Sequence, residues 1–160
     1  MNKEVKDILS SNFYETLYVF IGNDLRGDDA CGPYICKNIT NPLIRKIDAQ
    51  SVFESYVWEI IEIAPKKLII IDAADFGGEI GEIRLLDENN IKNYRMVSTH
   101  TLGIDMLIKV IRDELKNIEI YIIGIQLKNI EFNHPLSPEV RKSCNMIIDL
   151  LNSFQERSNE

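Results

Sequence analysis

No part of this chain is apolar for the roughly 20 residues that would span a bilayer. Its uninterrupted apolar runs, such as Leu17–Ile21 and Leu68–Ile71, are short. Cysteine is scarce: Cys31, Cys36 and Cys144 are all there are. An odd count without regular spacing excludes a disulfide framework, and the missing C-x-x-C excludes a zinc knuckle. Cys144 lies in an amphipathic run and reads as a small buried apolar residue. A reducing cytosol suits all three. Positive charge is also short. The net charge of −7 disfavours nucleic acid, whose phosphates require Lys and Arg, and says little about other partners. The common hydrolase signatures are absent as well: G-x-S-x-G, H-E-x-x-H, D-T-G and any local cysteine–histidine signature.

What remains is an ordinary globular composition, 45% apolar and 27% charged over 160 residues. That suits one domain with a real core. The opening MNKEVKDILSSNFYE carries acids and no long apolar stretch, so it is not expected to be a secretory signal. Residues 1–15 are expected to form an arm or short helix, and 155–160 a frayed tail. Between them strands and helices alternate. Residues 17–21, 68–72 and 118–125 read as strands covered on both faces, 43–48 as a weaker strand and 82–86 as an edge strand. Helices are expected from Pro33 to about 39, over 54–63, over 101–115 with Leu102, Met106, Leu107, Val110 and Ile111 on one side, and from Pro138 to about 154. Residues 22–32, 73–81 and 126–138 read as loops. The pattern predicts an α/β fold, a three-layer sandwich with a mainly parallel twisted sheet between helices, in a single domain over 1–160.

In such sheets ligands bind at the carboxyl ends of the strands. Asp28 and Asp29 follow the first strand, Asp72 is expected to close the third, Asp75 comes soon after, and His100 stands at the mouth of the 101–115 helix. Each has a plain structural alternative. An Asp pair before a helix can be an N-cap, Asp72 can cap the following turn, and His100 can simply be satisfied by hydrogen bonds. His134, in a proline-flanked loop, is the weaker of the two histidines. The loop GNDLRGDDACG is neither a dinucleotide fingerprint nor a P-loop and is too acidic for phosphate. Taken together, two carboxylates and an imidazole form a sensible set for a borderline divalent ion such as nickel or zinc.

Four blocks in order carry a resemblance. G-N-D-L-R-G-D-D-A-C-G-P at 22–33, L-I-I-I-D-A-A-D-F-G at 68–77 with G-E-I at 81–83, S-T-H-T-L-G at 98–103, and G-I-Q at 124–126 with H-P-L-S at 134–137 resemble the hydrogenase maturation endopeptidases over roughly residues 17–150. Within that family the chain is most similar to the formate-hydrogenlyase hydrogenase protease branch; the F420-reducing hydrogenase proteases are the next. Two positions depart from the pattern: Ala30 replaces a glycine after the acidic pair, and Phe20 replaces one two residues before the G-N pair. The first implies no need for positive φ at position 30, the second a packed strand end.

The resemblance implies a cytoplasmic endopeptidase that removes the C-terminal extension of a nickel-loaded [NiFe] hydrogenase large-subunit precursor. The nickel is carried by that substrate, and no nucleic acid or membrane insertion is involved. The metal-recognition and catalytic residues implied are Asp29, Asp72 and His100; Asp28 has no assigned role. A metal-dependent chaperone that holds the precursor without cutting it would use the same residues, and a small-molecule hydrolase would require a deep apolar pocket beside Asp72.

Overall fold

A computed structural model of the chain describes residues 1–96 and 103–156. Six strands form one sheet: β1 (Thr16–Ile21), β2 (Arg45–Gln50), β3 (Lys67–Asp75), β4 (Ile83–Leu86), β5 (Arg95–Met96) and β6 (Glu119–Gln126). The helices are α1 (Lys3–Ser10), α2 (Cys31–Asn38), α3 (Val57–Ile63), α4 (Ile104–Glu114) and α5 (Pro138–Asn152). The strand order is β2-β1-β3-β6-β4. The first four strands are parallel; β4 runs antiparallel on β6 at the edge, and β5 pairs antiparallel with the last residues of β3. This is the expected α/β architecture.

Side-chain alternation distributes the three central strands, β1, β3 and β6, between two cores. Tyr18, Phe20, Ile69, Ile71 and Ile123 pack under α1, α2 and α5, together with Val5, Leu9, Ile35, Val140, Cys144 and Ile147. Leu17, Val19, Ile21, Leu68, Ile70 and Ile122 face α3 and α4, meeting Val57, Ile60, Leu107 and Ile108. Burial on both faces is what a continuous apolar run such as Leu17–Ile21 requires. Phe20 is fully buried, and Ala30 has φ −74°, so neither departure from the glycine pattern strains the backbone.

The amino end of the sheet is tied to α1 by polar groups. Tyr18 donates its phenolic proton to the Leu9 carbonyl at 2.6 Å. Lys67 Nζ donates to the carbonyl of Ile8, to that of Ser11 at 2.7 Å and to Ser11 Oγ at 3.1 Å. These carbonyls belong to the last turn of a helix and the residue after it, where no intrahelical donor remains.

Three sequence expectations need correction. Asp72 does not close β3, and residues 73–75 are not loop: the ladder with β6 continues through Ala73 opposite Ile125 and Ala74 opposite Gln126. Both alanines are fully buried, and their small side chains hide the strand from a hydropathy pattern. The 22–32 stretch is not loop throughout: Gly27–Ala30 is a 3₁₀ turn, and Cys31 and Gly32 already belong to α2, before Pro33. A further 3₁₀ turn at Glu88–Asn93 leads into β5. In α4 the buried stripe is Ile104, Leu107, Ile108 and Ile111, whereas Met106 is 51% exposed and Val110 37%. Spacing of three and four residues from Ile104 completes the apolar face without them; Leu102 lies outside the described residues. Among the described residues no helix is long and apolar enough to cross a membrane.

Candidate functional site

Neighbouring strands β1 and β3 send their connections to opposite sides. The chain leaving β1 enters α2 on one face, and the chain between β3 and β6 passes through α4 on the other. A crevice therefore opens beyond their carboxyl ends, where open α/β sheets bind ligands. The 22–30 loop roofs it from β1. Gly22 adopts φ +151°, and a Cβ there would overlap the Asp29 carbonyl, so the loop folds back directly onto the strand end. Gly22 N–H donates to Gln50 O at 2.8 Å, joining this turn to the end of β2.

Asp28 and Asp29 both lie in the 3₁₀ turn Gly27–Ala30 and both are buried. With about three residues per turn, adjacent side chains diverge by roughly 120°. Their partners differ accordingly. Asp28 turns toward the loop that follows β6: Oδ2 accepts from Lys128 N at 2.8 Å, Asn129 N at 3.1 Å and Ser137 Oγ at 2.8 Å, and Oδ1 accepts from Ser137 N at 2.6 Å. Its own N–H donates to Asn129 O at 2.7 Å. Gly27 makes this approach possible, because at φ +50° it meets the Asn129 carbonyl with no room for a Cβ. Ser137 is the N-cap residue of α5 but makes no side-chain cap bond; its hydroxyl is committed to Asp28, forgoing a helix cap worth about 1 kcal/mol. Asp29 faces the other way, with Oδ2 accepting from Asn23 N at 3.1 Å.

Asp72 lies inside β3, fully buried, in register with Gly124 of β6, a neighbour that brings no side chain. Alternation sets Asp72 on the same side as Ile70 and Ala74. The 3₁₀ turn bearing Asp29 packs against β3. Both carboxylates act on one thiol. Cys31 is pushed well above the usual thiol range by a hydrogen bond with Cys144, then by burial, and further by the nearby charges of Cys144, Asp72 and Asp29. Cys36 is pushed up to about 11, chiefly by burial. Neither is a thiolate near neutral pH, so neither offers the nucleophile of a cysteine protease.

The third loop of the crevice, beginning at residue 76 after the end of β3, is held by Gln126. Its Oε1 accepts from Phe76 N at 3.0 Å and Gly78 N at 3.1 Å, and its Nε2 donates to Asp75 Oδ1 and Leu127 O, each at 3.1 Å. A buried amide with both ends used is a specific fastener. Its only sequence signal is a polar residue ending an otherwise apolar strand. His134, half exposed, pairs with Glu131 at 2.9 Å and approaches Asn129 Nδ2 at 3.3 Å, so its partners belong to its own loop. His100 lies outside the described residues. Among the described residues no group of three His, Cys, Asp or Glu side chains is arranged to hold a metal ion, so the three-ligand set is carried forward as a proposal.

An open, mainly parallel sheet with two buried carboxylates beside its switch point defines a class: an α/β protein with its candidate site in the crevice at the carboxyl ends of the strands. The chain belongs to the hydrogenase maturation protease family, whose model matches residues 37–153. A Methanocaldococcus jannaschii protein assigned as a hydrogenase maturation protease is 36% identical over 144 residues, which cover 82% of each chain. A crystal structure of the hydrogenase 3 maturation protease superposes with a TM-score of 0.77 at 26% identity, covering 88% of this chain and 91% of the other. The solution structure of the endopeptidase HycI from Escherichia coli gives a TM-score of 0.74 at 30% identity over 86% of this chain and 88% of the other.

Proposed function

We propose that this protein is the endopeptidase that removes the C-terminal extension from the large-subunit precursor of a [NiFe] hydrogenase after nickel has been inserted. Its family membership favours cleavage over a chaperone that only holds the precursor. The observation that carries the metal part is the placement of Asp29 and Asp72, two buried carboxylates on a 3₁₀ turn and a strand that pack against each other beside the switch point. Together with His100 they would supply two oxygen donors and one nitrogen donor, a set suited to a borderline divalent ion. The nickel arrives as part of the substrate, and the three side chains would take its open positions. The work of this chain is then to hold the precursor so that the bond to be cut is presented at the crevice. The compartment implied is the cytoplasm.

Differential binding explains why an empty precursor would be refused. Ligand side chains gain interaction energy only from a metal with open positions, and without it two like charges share a poorly solvated crevice. The test mixes purified protein with precursor prepared with and without nickel and follows tail loss by mass spectrometry. Cleavage of the loaded form alone is expected. Equal cleavage of both forms would sink the metal-gated mechanism, and cleavage of neither would sink the peptidase assignment.

A further inference from the structure

Asp28 is buried at the junction of two crevice loops that are far apart in sequence. Its carboxylate accepts three bonds from main-chain N–H groups, those of Lys128, Asn129 and Ser137, and one from the Ser137 hydroxyl. Its amide is committed to Asn129 O. Residue 28 is thus held by both backbone and side chain against a single loop. Residue 29 follows in the same tight turn, so its direction is set by whatever holds residue 28. A chain that needed only to tie down a surface loop could do so with serine or asparagine in a turn. This one buries a full carboxylate and diverts the N-cap hydroxyl of its longest described helix to satisfy it.

We propose that Asp28 is a positioning residue for the reaction: by pinning the 128–137 loop and the start of α5 to the 3₁₀ turn, it fixes the direction in which the Asp29 carboxylate enters the crevice. The effect travels through two covalently adjacent residues and one hydrogen-bonded loop. Asp28 itself touches no reacting atom. Its two oxygens see donors only among these contacts, so the role is specific for a carboxylate. In Asp28→Asn one acceptor survives, but the new NH₂ must face either the Ser137 N–H or the N–H groups of Lys128 and Asn129. Only the Ser137 hydroxyl can turn to accept from it, and a main-chain donor against a donor makes no bond.

The proposal rests on the reading of Asp29 as a contact to the substrate's nickel, so the test has one arm that depends on cleavage and one that does not. In the first, kcat/KM for nickel-loaded precursor is measured for the parent protein, Asp28→Asn, Ser137→Ala and Ser137→Thr, each shown to be folded by thermal unfolding. Asp28→Asn is expected to lose on the order of 10- to 100-fold, the range typical of residues that orient a metal contact. Ser137→Ala should lose less, and Ser137→Thr, which restores a hydroxyl donor, should recover most of that loss. In the second arm, amide exchange is followed at Asn23, whose N–H donates to Asp29 Oδ2, with Val19 and Ile70 in the buried strands as references. Asp28→Asn should speed exchange at Asn23 by about 10-fold or more, the equivalent of losing roughly one hydrogen bond, and leave the references unchanged. An unaltered Asn23 rate, or one that rises in step with the references, overturns the proposal. So does unaltered kcat/KM in Asp28→Asn. If the parent protein cleaves no precursor, the functional reading falls and the exchange arm alone decides the positioning role.

Discussion

At its amino end the sheet is tied down by a buried cation and a phenol that collect backbone carbonyls. At its carboxyl end an anion and an amide collect mainly backbone N–H groups. Lys67 and Tyr18 gather the carbonyls of Ile8, Leu9 and Ser11 at the finish of α1. Asp28 and Gln126 gather the N–H groups of Lys128, Asn129, Ser137, Phe76 and Gly78 in the crevice loops. Each sign matches the backbone groups left over there, carbonyls at a helix end and N–H groups at turns and helix starts. The difference lies in what stands beside the fasteners. At the amino end the polar groups serve attachment of α1. At the carboxyl end two further buried carboxylates, Asp29 and Asp72, stand at the switch point. One end keeps the fold together, and the other holds loops in place around the proposed site.

The comparison breaks most sharply at Asp72. Asp72→Asn keeps the size of the side chain inside β3, so thermal and urea unfolding are expected to stay near the parent values. Processing of nickel-loaded precursor is expected to fall by more than about 100-fold, beyond what loss of an orienting partner costs. Lys67→Met is the reverse. It removes the donor to the Ile8 and Ser11 carbonyls and should lower stability by about 1–3 kcal/mol in urea titrations, with processing per folded molecule unchanged. If Lys67→Met costs as much activity as Asp72→Asn, the two ends are not divided in this way.

Much of this arrangement is visible in the sequence. The runs Leu17–Ile21 and Leu68–Ile71 announce two central strands, and Val140, Cys144, Ile147, Ile148 and Leu151 announce the inner face of α5, all buried as their spacing requires. The run 118–125 announces β6, which is buried from Ile122 onward while Glu119 is exposed and Ile120 and Tyr121 are half-buried. The sequence places Asp29 and Asp72 beside the ends of these runs, but their burial is a finding of the structure. Other features depend on partners far away along the chain. The Asp28–Ser137 bonds join residues 109 positions apart, and the Gln126–Phe76 bond joins residues 50 apart. No local pattern distinguishes such an Asp from an ordinary N-cap. Lys67 looks like a surface lysine before a strand and is in fact only 3% exposed, because α1 folds over it. The extension of β3 past Asp72 depends on pairing with β6, which two alanines do not signal.

The smallest effect expected is also the most selective probe of the amino end. Burial pushes the Tyr18 phenol well above its ordinary 10.0, against a smaller lowering by a hydrogen bond with Thr16. A tyrosine is uncharged when protonated, so the folded state retains a proton that the unfolded chain releases above pH 10. Stability from this group is therefore fully present below that pH and declines as pH rises through the window above it. Tyr18→Phe removes both the titration and the bond to Leu9 O. Below pH 9 the variant should be less stable by about 1 kcal/mol, the net worth of one buried hydrogen bond. Between pH 10 and 11 the gap should narrow, because only the parent protein loses stability there through this phenol. Subtracting one titration curve from the other cancels Lys67 and the thiols, which are common to both proteins. A gap that stays constant across the window would mean that Tyr18 ionises as readily folded as unfolded. That would contradict its burial under α1 and weaken the contrast between the two ends of the sheet.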